Sequence, residues 1–317
     1  MKERTKRDII FVGISVLLYA VIEALILYRV IPPYFERGIV TVCINVILAA
    51  SLNLINGITG QFSIGHAGFM AVGGYVSAIL TVKLGMSFSV AIIAGAAAAG
   101  VLGVLIGLPT LRLNGDYLAI ATLGLGEIIR IVILNISYVG GAAGLNGVPK
   151  DTNFTWVFGM MIFTLLFIRN LVESSHGRAC IAIRENEIAA EAMGINTTRY
   201  KVLAFTIGAT FAGVAGALFV HYTYVASPSS FTFMKSIDIL TMVVLGGLGS
   251  MTGSVVGAVV LTLLTFFLAD YPQIRGVIYS LLLIVLMLYR PQGLFGNKEF
   301  SLKMLSRLTG GGRRDVA

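Results

Sequence analysis

Charge is what this sequence has least of. Asp, Glu, Lys and Arg make up 12% of its 317 residues, about half the share that a soluble domain carries. That scarcity excludes a water-soluble enzyme and a disordered chain. Strict alternation of apolar and polar residues is missing too: the apolar residues come in long runs, which argues against an outer-membrane barrel. Two cysteines, Cys43 in an apolar run and Cys180 in a polar stretch, give no disulfide framework. No Lys follows a Gly, so the phosphate-binding loop G-x-x-x-x-G-K-[ST] is absent, as are H-E-x-x-H, G-x-S-x-G and C-x-x-C. His66, His176 and His221 stand far apart, with no cysteine or carboxylate at metal-ligand spacing. No catalytic, cofactor-binding or metal-ligating residue is expected.

What is present is hydrophobicity: 57% of the residues are apolar, and the mean hydropathy is +0.90. Gly38 to Val82 is a run of 45 residues without one charge, Leu84 to Leu111 of 28, Val202 to Met234 of 33 and Ile239 to Ala269 of 31. A helix needs about 20 residues to cross the hydrocarbon, so the longest runs hold two crossings each. Asn56-Gly57 and Thr59-Gly60 divide the first, and Gly246-Gly247 through Gly253 the last. The expectation is an all-α polytopic membrane bundle of about ten spans: 9–27, 39–54, 65–82, 88–108, 117–134, 154–168, 202–222, 237–248, 254–269 and 277–289. Eight is the alternative count. The segment 237–248 is short for a full crossing and is expected to be one arm of a broken or re-entrant element.

The basic residues give an orientation. With both termini on one side, 16 Lys and Arg fall on that side, 6 on the other, and Arg130 lies within a span. By the positive-inside rule that side is cytoplasmic. The net charge of +8 therefore belongs to a membrane face, and no nucleic-acid partner is implied. Residues 1–8 read as a cytoplasmic N-terminus, 9–290 as the membrane domain and 291–317 as a cytoplasmic tail. No cleavable signal peptide is evident.

Glycine is abundant, at 37 residues, and small residues let membrane helices approach closely. Gly249, Gly253 and Gly257 share one face if their segment is helical throughout, and either pack against a neighbour or line a break in the path. Gly103 and Gly107 read as packing positions. Glu127 and Arg130, three apart, can pair along a helix near its outer end. Asp116 and Asp238 precede apolar runs and are expected to cap helices.

Two polar stretches stand out. Asn53 to Gly68 contains Asn53, Asn56, Gly60, Gln61, Ser63 and His66 between apolar spans. It reads either as irregular backbone lining a translocation path or as a plain turn on the cytoplasmic face. The second is the loop 173–200. Cys180 to Met193 holds no Pro or Gly and is expected to be one helix ended by Gly194. Ile181, Ile188, Ala192 and Ile195 share one side of it, and Arg184, Glu187 and Glu191 the adjoining one. Glu187 and Glu191 repel each other at this spacing, so a basic partner would relieve them. This helix either docks a soluble subunit or simply connects two spans.

The motifs as a set are familiar. GQFSIGHAGFMAVGGY (60–75), GDYLAIATLGLGEIIR (115–130), GLNGVP (144–149), GRACIAIRENEIAAEAMGIN (177–196), VVLGGLGSMTGSVVGA (243–258) and YRPQGLFG (289–296) resemble the branched-chain amino acid ABC importer permeases, and the second and last look like the LivM type. The resemblance implies a bacterial inner-membrane subunit paired with a LivH-type sister permease, two ATP-hydrolysing subunits beneath, and an extracytoplasmic solute-binding protein. It also implies a docking role for the loop 173–200. The family motif E-A-A-x-x-x-G falls on Ala189, Ala190 and Gly194, with Ile188 in the Glu place and Glu187 one position earlier. Other readings remain: an importer of the same class for urea or short amides, or a self-sufficient channel or secondary carrier.

Overall fold

The run from Gly38 to Val82 folds as a central helix, a tight irregular turn and a returning helix. The computed structural model describes residues 2–113, 115–269 and a few positions between 277 and 296. Most of the expected span 277–289 and nearly all of the tail 291–317 lie outside the described residues. In chain order the helices are α1 (Lys2–Leu27), α2 (Pro33–Asn53), α3 (His66–Val82), α4 (Phe88–Thr110), α5 (Asp116–Asn135), α6 (Phe154–Glu173), α7 (Ser175–Glu185), α8 (Glu187–Ala192), α9 (Thr197–Thr223), α10 (Phe233–Gly246) and α11 (Met251–Phe267). The two-residue strands β1 (Leu145–Asn146) and β2 (Val225–Ala226) pair antiparallel. The described residues thus form an all-α bundle. Among the described residues five helices are long and apolar enough to cross a membrane: α2 with its extension to Ile58, α4, α5, α6 and α9. The element expected to be short is short, with 14 residues in α10.

α2 is the axis of the bundle. Pro33 opens it, at the position where a missing N–H costs nothing. From Cys43 onward every residue of α2 is buried, as expected of a helix apolar on all sides. α6, α9, α10 and α11 pack around it. Beside it α3, α4 and α9 meet through glycine: a Cβ on Gly73 would lie 2.2 Å from the Gly213 carbonyl oxygen, one on Gly95 2.6 Å from the Gly73 oxygen, and one on Gly216 1.9 Å from the Met70 oxygen. These backbones touch, which is how helices associate where hydrophobic expulsion from water gives no drive.

Several expectations need correction. Asn53 and Asn56 do not sit in irregular backbone. α2 continues into a π-turn, Leu54–Ile58, in which Thr59 N–H bonds to the Leu54 carbonyl at 3.2 Å; only residues 59–65 are irregular. The loop helix is not continuous from Cys180 to Met193. Asn186, in extended conformation, separates α7 from α8. Asp116 is the first residue of α5 and gives no capping bond, and Asp238 lies inside α10. Gly249 belongs to the turn before α11, with φ +88°, so it shares no helix face with Gly253 and Gly257.

α10 begins in the middle of the bundle. Lys235 Nζ donates to Asn45 Oδ1 at 3.1 Å, midway along α2, and the Phe233 N–H donates to Glu127 Oε1 at 3.0 Å, midway along α5. The turn that follows its other end meets the π-turn, Gly249 lying against Gly57. Gly253 and Gly257 then press α11 onto α10, their added Cβ atoms falling 2.3 Å from the Gly246 oxygen and 2.1 Å from the Met242 oxygen.

Candidate functional site

Three groups of residues converge where the α2–α3 turn, the α7–α8 loop and the α10–α11 turn meet. The first is the turn itself. The Asn56 amide holds it, donating to the Ser63 carbonyl at 3.1 Å and accepting from the Ser63 N–H at 3.2 Å. Thr122 Oγ1 of α5 accepts the Ile64 N–H at 3.1 Å. His66 Nε2 lies 2.8 Å from Ser51 Oγ. Yet Gln61 Oε1 and Nε2, Ser63 Oγ and His66 Nδ1 are buried without a partner. Buried polar atoms are seldom left unpaired, and here four fall within six residues. Gly60, at φ +75°, lets the chain reverse where the Arg184 stem leaves no room for a Cβ.

The second group is the loop. Ser174 caps α7 and Asn186 caps α8, its Oδ1 accepting the Ala189 N–H at 3.0 Å. Gly194 ends α8 at φ +84°, with the Gly194 N–H on the Glu191 carbonyl and the Ile195 N–H on the Ala190 carbonyl. The two carboxylates have partners inside the chain: Glu187 pairs with Lys201, and Glu191 accepts from Thr197 Oγ1 at 2.8 Å. A basic residue was the missing partner of that pair, and α9 supplies it. The apolar residues are left outside: Ile188 is 81% and Met193 82% exposed, while Ala190 is buried. Cys180 is buried in α7; burial pushes its thiol up, opposed by a hydrogen bond with the Thr59 side chain.

Arg184 turns inward. Its Nη1 donates to the Gly57 carbonyl at 2.9 Å and its Nη2 to Glu185 Oε1 at 2.6 Å. Between it, the turn and the end of α4 lies a cavity of about 330 Å³, bounded by Gln61, Leu113, Leu118, Asn186 and Lys201.

The third group ties the turn to α10 and α11. Asn53 Oδ1 accepts the Gly249 N–H at 2.8 Å, and its Nδ2 donates to the Ser250 carbonyl at 3.2 Å. A Cβ on Gly57 would stand 2.2 Å from the Gly249 nitrogen. At the start of α10, Glu127 pairs with Arg130 at 2.8 Å while capping Phe233; Ser236 Oγ accepts the Ala67 N–H of α3 at 3.0 Å. Sequence reasoning found Glu127 and Arg130 as a pair. It missed the cap, whose donor is 106 residues away. A carboxylate inside a span was the available signal. Among the described residues no three His, Cys, Asp or Glu are grouped to hold a metal ion.

Comparison with known proteins fits this arrangement. Residues 34–289 match the family described as the branched-chain amino acid transport system permease component. The chain is 35% identical over 323 residues to the high-affinity branched-chain amino acid transport system permease protein LivM of Salmonella typhimurium, covering 89% of this chain and 76% of that one. It is 36% identical, with the same coverage, to LivM of Escherichia coli K12. It is also 28% identical to LivH of Salmonella typhimurium, over 80% of this chain and 91% of that one.

Proposed function

The chain belongs to the branched-chain amino acid ABC transport permeases, LivM type, and from that premise we propose that it is the membrane subunit of an ATP-driven importer of branched-chain amino acids in the bacterial inner membrane. It forms the translocation path with a LivH-type sister permease, receives solute from an extracytoplasmic binding protein, and couples to two ATPase subunits through the loop 173–200. Both types of relative, LivM and LivH, share sequence with this chain, which supports a paired architecture. The loop face is the cytoplasmic one in this reading.

One observation carries the coupling. α8 satisfies its own charges internally and leaves Ile188 and Met193 to solvent. An exposed apolar pair on a short helix, capped at both ends, suits insertion into a cleft of a soluble subunit. Residues 59–66, with their unpaired buried polar atoms, border the path. Reconstitution tests this. The chain with sister permease, ATPases and binding protein takes up labelled leucine in an ATP-dependent manner, and the chain alone does not. Gradient-driven leucine uptake by the chain alone overturns the reading, as does loss of neither assembly nor stimulated hydrolysis in the double variant Ile188→Ser, Met193→Ser.

A further inference from the structure

We infer that α10 is a lever linking the loop 173–200 to the middle of the bundle, with Arg184 and Asn53 positioning its near end and Glu127 its far end; this deepens the proposed importer reading and rests on it.

The near end starts from Arg184. Its side chain does not project from the loop but lies along Gly60 and donates to the Gly57 carbonyl, in the π-turn that ends the helical run begun by α2, where a helix has carbonyls without intrahelical donors. Gly57, lacking a Cβ, presses directly on Gly249. One residue turn earlier, the Asn53 amide grips both the Gly249 N–H and the Ser250 carbonyl. The sequence loop, π-turn, α10–α11 turn is therefore a continuous train of contacts, made by the Arg184 guanidinium, the Gly57–Gly249 backbone approach and the Asn53 amide. π-turns of this kind hold one residue more than an α-helical turn and concentrate at functional sites; here it is the member both neighbours grip.

α10 carries that connection inward. Its 14 residues make a rod about 21 Å long at about 1.5 Å per residue, with neither Gly nor Pro before Gly246. At the far end three bonds hold it to other helices: Phe233 N–H to Glu127 of α5 at 3.0 Å, Ser236 Oγ to the Ala67 N–H of α3 at 3.0 Å, and Lys235 Nζ to Asn45 Oδ1 of α2 at 3.1 Å. Helix shifts in switching proteins are about 1–2 Å. A hydrogen bond of 3.0 Å does not survive such a displacement along its axis. Movement of the loop thus releases the Glu127 cap in the middle of the bundle, while a static loop keeps it closed.

The test uses the complete complex in nanodiscs, with spin labels on Ile128→Cys of α5 and Met234→Cys of α10, both at exposed positions. Pulsed electron resonance reads the label separation without nucleotide and with ATP bound. The unaltered complex is expected to show a change of about 2 Å. Arg184→Gln, which removes the guanidinium, is expected to abolish that change and lower leucine uptake at least about tenfold, with the ATPases still bound and still stimulated by loaded binding protein. Arg184→Lys, which can still donate to the Gly57 carbonyl, restores part of both; Asn53→Asp, which keeps only the acceptor for Gly249, is intermediate. A separation change that persists in Arg184→Gln with normal uptake overturns the lever. So does loss of ATPase binding in Arg184→Gln, which would make Arg184 a docking contact. Absence of ATP-driven uptake in the unaltered complex sinks the importer reading, and the lever falls with it.

Discussion

A single amide can be worth more than a row of leucines when both its ends meet backbone. Asn53 is completely buried, and its two polar atoms satisfy one N–H and one carbonyl of the α10–α11 turn. Asn53→Leu conserves volume but strands both groups, at about 1–3 kcal/mol each; the purified permease should melt at a lower temperature, and Asn53→Asp should recover part of the loss. No drop in melting temperature would mean water replaces the amide. Cys180 allows a chemical check on the same region. Its thiol is held above the ordinary range by burial, so at neutral pH it carries less thiolate than a free cysteine, and thiolate is the reactive form. Maleimide should leave it unlabelled in the folded protein and label it in detergent that unfolds α7. The sequence flagged Asn53 as polar where polarity is expensive. It could not reveal that the residue is a clamp, because the groups it holds lie 196 and 197 residues further along the chain.

Helix boundaries were the most legible feature at the scale of elements. Uncharged runs and turn residues located α3, α4, α5, α9, α10 and α11 within a few residues, since a span must be both long and apolar. Breaks made by side-chain hydrogen bonds were not legible. Asn186 interrupts a Pro- and Gly-free stretch because its carboxamide satisfies the Ala189 N–H and restarts the helix; nothing in composition separates it from an interior Asn. Asn186→Ala removes the cap at about 0.5–2 kcal/mol. Amide exchange across 187–192 should quicken while the rest of the bundle stays protected, and unchanged exchange there would show the cap to be idle. Gly194, by contrast, was readable, and its left-handed φ of +84° explains why. A Cβ at Gly194 meets no neighbour within 4 Å, so the cost of Gly194→Val starts from the left-handed backbone, about 1–2 kcal/mol. The substitution should spare insertion in the membrane and lower the coupling of hydrolysis to uptake; Gly194→Asn, which tolerates that conformation, should behave close to the parent chain.

Across the whole molecule, the abundance of glycine announced close packing but not where it lies. The three-way contact of α3, α4 and α9 at Gly73, Gly95 and Gly213 joins two consecutive helices to one far along the chain, and no periodicity within one segment identifies its partner in another. The contact also sets how the protein can change over generations. Where side chains interlock, a larger residue on one side can be matched by a smaller one on the other. Where the Gly73 and Gly213 backbones meet, there is nothing left to trim, because the opposing atoms are peptide carbonyls that every amino acid possesses. Selection for second-site suppressors of Gly73→Ala should therefore recover reversion, or distant changes that raise stability generally, and no compensating substitution at 213 or 95. A suppressor at either of those positions would show that the seam has slack. Without it, this part of the chain is an evolutionary dead end for size: free to drift over its apolar exterior, and fixed at the one place where it has already given up everything a residue can lose.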